Sequence, residues 1–409
     1  MSDITTNVCI AGGGPAGLMA GYLLARAGID VVVLEKHADF LRDFRGDTIH
    51  PSTLRIMQEL GFYDEFLRLP HQKAYDASIW IGDERIVLAD FRSLPAGCNF
   101  IALMPQWDFL NFLAEKARAL PNFRLLMHAE ATALIETDGT ISGVTAGIQG
   151  VEKSIATTLV IAADGRTSIL REAAGLKVEE LGAPMDVLWF RMPHADSDPA
   201  GVFARIDDGQ VFVMLDRGTH WQCASVIPKG TAEARRTQDI GVLRAVIARM
   251  VPFLADRVGS LRDWDDVKLL TVQVNRMPRW HRPGFLCIGD AAHAMSPIGG
   301  VGVNLAVQDA VAAVNILTAP LRAGRLREAD LAAVQRRRAF PTRMTQRLQL
   351  SLQNRAIAPA LASRGKMRAP LILRLFGAVP WLRRIPARLM GLGVRPEHVR
   401  PISALTPHG

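Results

Sequence analysis

The start of the chain narrows the fold more than any other part of it. An apolar run, Thr6 to Ile10, leads into Gly12-Gly13-Gly14-Pro15-Ala16-Gly17. Leu18 to Ala27 follows, small and apolar, with a helical reading, and Gly28 sits where such a helix would end. Asp30 to Leu34 reads as a second strand, its β-branched run suited to a parallel sheet covered on both faces. Strand, glycine turn, helix and strand make a βαβ unit. The glycines fit G-x-G-x-x-G. Gly12 permits the tight turn, Gly14 lets backbone approach a pyrophosphate, and Gly17 lets helix and strand pack closely. Pro15 and Ala16 lie at the helix start, where free N–H groups and the positive dipole end favour phosphate. Glu35 ends the second strand, near the separation of about 20 residues at which a carboxylate meets ribose hydroxyls, and Lys36 follows it. A carboxylate there repels a 2′-phosphate, so NADP is not the expected occupant. The motif alone does not choose between FAD and NAD.

A chain of 409 residues is too long for one ordinary core and predicts two or three lobes. Hydrophobic residues at 49% and charged ones at 22% exclude general disorder. The net charge of +8 raises nucleic acid as a partner, but the arginines concentrate in the last seventy residues without interleaved aromatics, so none is expected. Cys9, Cys98, Cys223 and Cys287 are far apart and form no CxxC pair, which predicts neither a disulfide framework nor a metal site. The N-terminus lacks the apolar stretch of a signal peptide, and no apolar run reaches the roughly 20 residues of a bilayer span. The expected location is the cytoplasm.

Further along, Ser52 to Leu60 and Trp107 to Leu120 read as helices, and Ala77 to Asp90 as strands. Leu125 to Ile161 gives short strands with Asp138-Gly139 as a turn, and Ser168 to Ala174 a short helix. From Asp186 to Val272, strand-like pieces alternate with turns and predict a mainly antiparallel sheet. Phe285 to Ile288 is another buried strand, Val303 to Ala319 a long helix of small residues, and the rest is helical and basic.

Two later motifs resolve what the first leaves open. Ala-Ala-Asp164-Gly165-Arg-Thr-Ser-Ile-Leu-Arg171 follows the apolar run Leu159 to Ile161, and Gly289-Asp290-Ala-Ala-His-Ala-Met-Ser-Pro297 follows Phe285 to Ile288. Each puts a carboxylate at the C-terminal end of a strand, where open α/β sheets bind ligands. With the first motif, in this order, the chain resembles the single-component flavoprotein aromatic hydroxylases of the p-hydroxybenzoate hydroxylase type, over about residues 4–310. The resemblance implies FAD as cofactor and NADPH or NADH as transient reductant. It implies that Asp164, Gly165 and Arg171 lie near FAD and the nicotinamide path, and that Gly289 and Asp290 contact the ribityl chain and pyrophosphate. Arg45 matches a family arginine along the FAD, and Gln106 a polar residue near the flavin.

The implied fold class is α/β: a Rossmann-like FAD-binding domain, a mainly antiparallel β-sheet substrate domain and a C-terminal helical region. The expected division is 1–72, 101–181 and 267–330 for the first, 73–100 and 182–266 for the second, and 331–409 for the third. Pro297-Ile-Gly-Gly300-Val-Gly302-Val303-Asn304 is a glycine-rich loop opening a helix with Ala306, Ala310 and Ala313. Such a helix approaches a flat ring closely, and its N-terminal dipole favours the negative charge of a reduced flavin. Helix packing through small residues is the plainer reading, and the preceding Gly-Asp motif favours the flavin.

The implied chemistry is transfer of one oxygen atom from O2 to an aromatic or quinone-like substrate. No G-x-S-x-G, H-E-x-x-H or Cys/His cluster offers another route, and no second G-x-G-x-x-G offers a nicotinamide domain. No residue is assigned as catalytic and no metal is expected. Trp189, Arg191, Phe203, Phe212, Met214 and Trp221 are pocket candidates, with core packing the favoured reading; His50 and His293 read as structural. Related readings are an FAD-dependent halogenase, loosely matched at Trp221-Gln222-Cys223 and Ile227-Pro228, a reductase of the same fold, and a flavin-binding protein without turnover. From Lys366 to Arg395, Leu371, Leu375, Trp381, Leu382, Ile385 and Leu389 alternate with Arg374, Arg383, Arg384 and Arg388, broken by Pro370, Pro380 and Pro386. A tail packed over the FAD domain or into a homodimer interface is favoured; an interfacial membrane element is the alternative.

Overall fold

The computed structural model describes residues 3–41, 48–199 and 201–401. β1 (Ile4–Ala11) lies at the centre of the first sheet. It pairs in parallel with β2 (Val31–Glu35) on one side and with Val151–Ala162 on the other. Phe123–Met127 extends the sheet beyond β2, and Phe285–Cys287 beyond Val151–Ala162, both in parallel. All five residues of β2 are buried, which is why its sequence is an unbroken apolar run and not an alternation. The hairpin Ala129–Thr137 and Thr140–Ile148 turns at Asp138-Gly139 and joins antiparallel to Val151–Ala162.

α1 (Pro15–Arg26) connects β1 to β2 and starts inside the glycine motif, three residues before the apolar run. Proline at the first helical position lacks only an N–H that would have had no partner. Gly302–Arg322 packs against α1. This helix is long and apolar enough to cross a bilayer, but 67% of its apolar window is buried within the fold, so it is a core helix.

The second sheet has seven strands in the order Lys268–Leu270, Met185–Pro193, His220–Pro228, Gln210–Asp216, Val202–Asp207, Asp76–Ile81, Glu84–Asp90. Its pairs are antiparallel except Val202–Asp207 with Asp76–Ile81. Strand alternation splits its residues. Leu188, Phe190 and Met192 enter a core closed by the helix Ile240–Met250, while Val187 and Trp189 join the opposite face. The stretch from Asp186 to Val272 therefore holds more than strands and turns: Ala232–Arg236 and Ile240–Met250 are helices. Asp239 caps the second by accepting from Gly241 N at 2.7 Å, and Leu243, Ile247 and Met250 form its buried stripe. Its valines and isoleucines favour a strand reading that helical spacing and the cap override.

The last part of the chain is helical, from Glu328–Leu352 to the short helices Leu371–Ala378 and Arg384–Gly391. Of the packing expected for this tail, over the FAD domain or into a dimer, contacts with the first region occur at His50 and Pro51, through Met390 and Gly391. The two short helices lie on Glu84–Asp90, the edge strand of the second sheet. Ala369 and Leu373 pack with Ile81 and Ile86, and Ala387 and Met390 with Phe91. Covering an edge strand in this way removes a site of unwanted pairing. Further on, Val399 packs against the core of the first sheet.

Candidate functional site

The parallel register brings the motifs together. Ala11 stands opposite Leu34 and Ala162, and Ala162 opposite Cys287, so four strands end at one edge. The Gly12 loop, Glu35, Asp164 and Gly289 all leave the sheet there. At Gly12 φ is +106°, and a Cβ would stand 2.3 Å from Ala163 O. A Cβ on Gly17 would stand 1.9 Å from Gly12 O. These two positions are closed by backbone, whereas a Cβ on Gly14 or Gly165 would meet nothing within 4 Å. One side of the loop thus packs on the protein and the other is open. The N-terminus of α1 has no side-chain cap, leaving its first N–H groups for a ligand.

Glu35 is buried, and its carboxylate accepts from Gly13 N at 3.0 Å and His37 N at 3.1 Å. This fixes the carboxylate under the glycine loop. Asp164 has one carboxylate oxygen, Oδ1, buried with no hydrogen-bond partner. Burial raises its pKa above the usual carboxylate value against hydrogen bonds from Ser168 and Leu170 that lower it. Asp290 is half-exposed, and Oδ2 lies 3.4 Å from Arg166 Nε. An uncapped helix start, an open glycine face, a tethered carboxylate and an orphaned buried oxygen fit a dinucleotide with ribose hydroxyls and a pyrophosphate.

Arg171 lies between the Asp164 loop and the Asp290 loop. It is buried, and its guanidinium donates to Ala291 O at 3.0 Å and Arg166 O at 2.8 Å. Its side chain is a strut that ties the Asp164 loop to the Asp290 loop. Gly289 makes a second tie, since a Cβ there would meet those of Ala16 and Ala306 at 3.1 and 3.3 Å. Glycine and alanine at these three positions let the first glycine loop, the Gly289 loop and the helix Gly302–Arg322 touch.

The Pro297–Asn304 loop closes the other end. Asn304 is buried, with Oδ1 accepting from His50 N at 2.8 Å and Thr53 Oγ1 at 2.7 Å. Its amide donates to Thr48 O and Gly300 O. This side chain is therefore occupied within the protein and orients the loop. Pro297, Gly302 and Val303 flank it, half-buried, and Gly300 lies against Thr48 and His50. His50 Nδ1 donates to Met390 O at 2.8 Å, and its Nε2 is buried without a partner. Burial pushes the His50 pKa down to about 4, so the ring is neutral at physiological pH.

Behind these loops lies a buried charge network that sequence reasoning missed. Asp309 Oδ2 accepts from Gly289 N at 3.1 Å and faces His293 Nε2 at 2.6 Å; Asp309 Oδ1 accepts from Arg338 Nε at 2.8 Å. Arg338 also reaches Glu397 at 3.2 Å, and Arg337 reaches Glu397 at 2.7 Å. Asp309 and Arg338 have no exposed side-chain surface. Burial drives the Asp309 pKa up, but His293 and Arg338 outweigh it and the net shift is downward. One signal was available: Asp309 is the single charged residue between Val303 and Ala319.

The Lys36 ammonium pairs with Glu130 at 3.8 Å at a surface cleft shared with His128 and Gln149. Gln106 opens the helix Gln106–Arg118 and is half-buried. Arg45 lies outside the described residues. Of the pocket candidates, Phe203, Phe212, Met214 and Trp221 belong to the core between the second sheet and Ile240–Met250. Trp189 is on the other face, packed with the group that includes Ile298 of the glycine-rich loop, and Arg191 is exposed. Trp221 is fully buried with Nε1 donating to Asp198 at 2.8 Å, so the halogenase-like stretch is structural.

Residues 5–348 match the family model of the FAD binding domain. The chain is 31% identical to 6-methylpretetramide 4-monooxygenase of Streptomyces rimosus, over 94% of this chain and 92% of that protein. It is 29% identical to dialkyldecalin synthase of Streptomyces rugosporus, over 76% of this chain and 64% of that one. It is 27% identical to the 3-(3-hydroxy-phenyl)propionate/3-hydroxycinnamic acid hydroxylase of Escherichia coli, over 75% of this chain and 54% of that one. The chain thus spans nearly the whole of the first relative, under two thirds of the second and little more than half of the third. The same fold occurs in p-nitrophenol 4-monooxygenase of Pseudomonas putida, with TM-score 0.75 and 20% identity over 94% of this chain and 97% of that chain.

Proposed function

Because the chain belongs to the FAD binding domain family, we propose that the edge where its three motifs meet holds FAD, with the AMP end at Glu35 and the ring end at Pro297–Asn304. The enzyme is an FAD-dependent monooxygenase of the aromatic-hydroxylase type. When bound and reduced, the flavin supplies the activation of O2 and the delivery of one oxygen atom. The protein's own groups bind and orient. Glu35, held by two backbone amides, accepts ribose hydroxyls, and the N-terminus of α1 faces the pyrophosphate. Asp290 and the face beside Gly165 line the middle of the site. The loop fixed by Asn304 sets the ring end, where the start of Gly302–Arg322 favours negative charge. Trp189, on the face of the second sheet that packs with Ile298, shields that end from water.

The reductant is NADPH or NADH, docking transiently, and the substrate is an aromatic or quinone-like compound. The division into FAD-binding, substrate and helical regions is proposed as the sequence laid it out. Four buried free thiols suit a reducing cytoplasm. The observation that carries the reading is the convergence of Glu35, Asp164 and Gly289 on one open glycine loop. Purified protein should be yellow, oxidise NADPH or NADH faster with a suitable phenol, and place one atom from labelled O2 in the product. Colourless protein that takes up no FAD on titration would overturn the site, and product without labelled oxygen would overturn the oxygenation.

A further inference from the structure

The short helices Leu371–Ala378 and Arg384–Gly391 each have two apolar sides. Their inner sides are anchored on the edge strand through Leu373, Ala387 and Met390. Their outer sides are uncovered: Leu371 is 81% exposed, Ile372 67%, and Trp381, between the helices, 62%, with Leu375, Ile385 and Leu389 also exposed. A surface helix ordinarily turns polar residues outward. Both helices rest on the same strand, so these side chains share one side of the molecule.

The charge around them says what covers this face. Residues 364–395 hold eight Lys or Arg and no Asp or Glu. The chain has 48 of the first kind and 40 of the second, so this segment alone accounts for its net charge of +8. Arg374 is paired with Glu84 at 2.9 Å, and Arg383 donates to Phe376 O at 2.9 Å. Arg384 and Arg388 are exposed and, among the described residues, form no ion pair. A two-fold contact between copies would set this cationic face against itself. Proline at 370, 380 and 386 keeps the segments far too short to span a bilayer. Short apolar faces, a tryptophan and flanking arginines are the makings of an element lying in the plane of an anionic membrane surface.

We propose that this face docks the enzyme on anionic phospholipid bilayers, with Leu371, Ile372, Leu375 and Trp381 entering the interface and the arginines meeting the headgroups. Met390, on the second of these helices, holds His50 at the wall of the ring-end loop. Under the hydroxylase reading this places the docked face beside the ring end and suits an apolar substrate; lipid binding itself does not depend on that reading.

The test is sedimentation of the holoenzyme with vesicles of phosphatidylcholine and phosphatidylglycerol, and with vesicles of phosphatidylcholine alone. Binding to the anionic vesicles should be at least about tenfold tighter than to the neutral ones and should weaken with salt. The triple variant Leu371→Glu, Ile372→Glu, Leu375→Glu should lose binding by at least about tenfold while its melting temperature and bound flavin stay unchanged. Sedimentation no greater than in lipid-free controls would overturn the proposal, as would a variant that binds like the parent. A dimer that the triple variant dissolves, with no lipid binding by the parent, would overturn it in favour of a self-interface. None of these readouts uses turnover, so failure of the hydroxylase reading would show separately.

Discussion

Arg338→Met separates the buried charge network from everything around it. Methionine has similar length and no charge, so the change removes two buried pairs, to Asp309 at 2.8 Å and to Glu397 at 3.2 Å. Glu397 keeps Arg337, but Asp309 keeps only His293 and the Gly289 amide. Removing one partner of a buried pair costs about 3–5 kcal/mol, because the remaining charge stays in a low-dielectric site. Unfolding entropy of about 2.1 cal/mol/K per residue makes each kcal/mol about 1.2 °C for a cooperative unit of this size. The expected loss in melting temperature is therefore about 4–6 °C, read by scanning calorimetry with excess FAD. The double variant Arg338→Met, Asp309→Leu removes the orphaned charge and should lose less than the two single changes added together. A single variant that melts within about 1 °C of the parent would refute the reasoning. So would strict additivity of the pair.

Gly12→Ala should yield little folded protein, since its methyl would stand 2.3 Å from Ala163 O at a φ of +106°, whereas Gly14→Ala should fold and bind less FAD, as measured by the flavin-to-protein absorbance ratio. Glu35→Gln should weaken FAD about tenfold by titration, the worth of a charge-assisted bond to ribose, and should lower the unliganded melting temperature by about 1–4 °C, because the amide leaves one of the two backbone N–H groups without an acceptor. His50 is held neutral by burial with its pKa pushed down to about 4. Its stabilising contribution is full above pH 6.5 and falls as pH drops from 6.5 towards 4, by about 3 kcal/mol in all; denaturant melts of His50→Gln should lose that slope.

The sequence by itself determined the first βαβ unit, the order of the three motifs and, to within a residue or two, the strands Ile4–Ala11, Val31–Glu35 and Phe285–Cys287. These are local facts: a continuous apolar run means a strand covered on both faces, and three spaced glycines mean a loop that packs tightly on one side and stays open on the other. The three motifs together carry the family resemblance, and it was that resemblance that implied FAD. Even the tail's amphipathic, basic character was visible, because composition and proline breaks are local.

Tertiary structure decided which polar groups in the motifs are satisfied within the protein. Arg171 and Asn304 sit in the motifs, yet besides near backbone partners their side chains bond groups more than 100 residues away in sequence, at Ala291 and at His50 and Thr53. Nothing local predicts that, because hydrogen-bond satisfaction is a property of spatial neighbours. Asp309 and Arg338 pair across two helices for the same reason. On the second sheet, Trp189 and Trp221 are the same residue type on paired strands, but one packs with the group that includes Ile298 and the other is buried behind the sheet. Alternation guarantees two faces; only the packing of Ile240–Met250 on one of them decides which face is core.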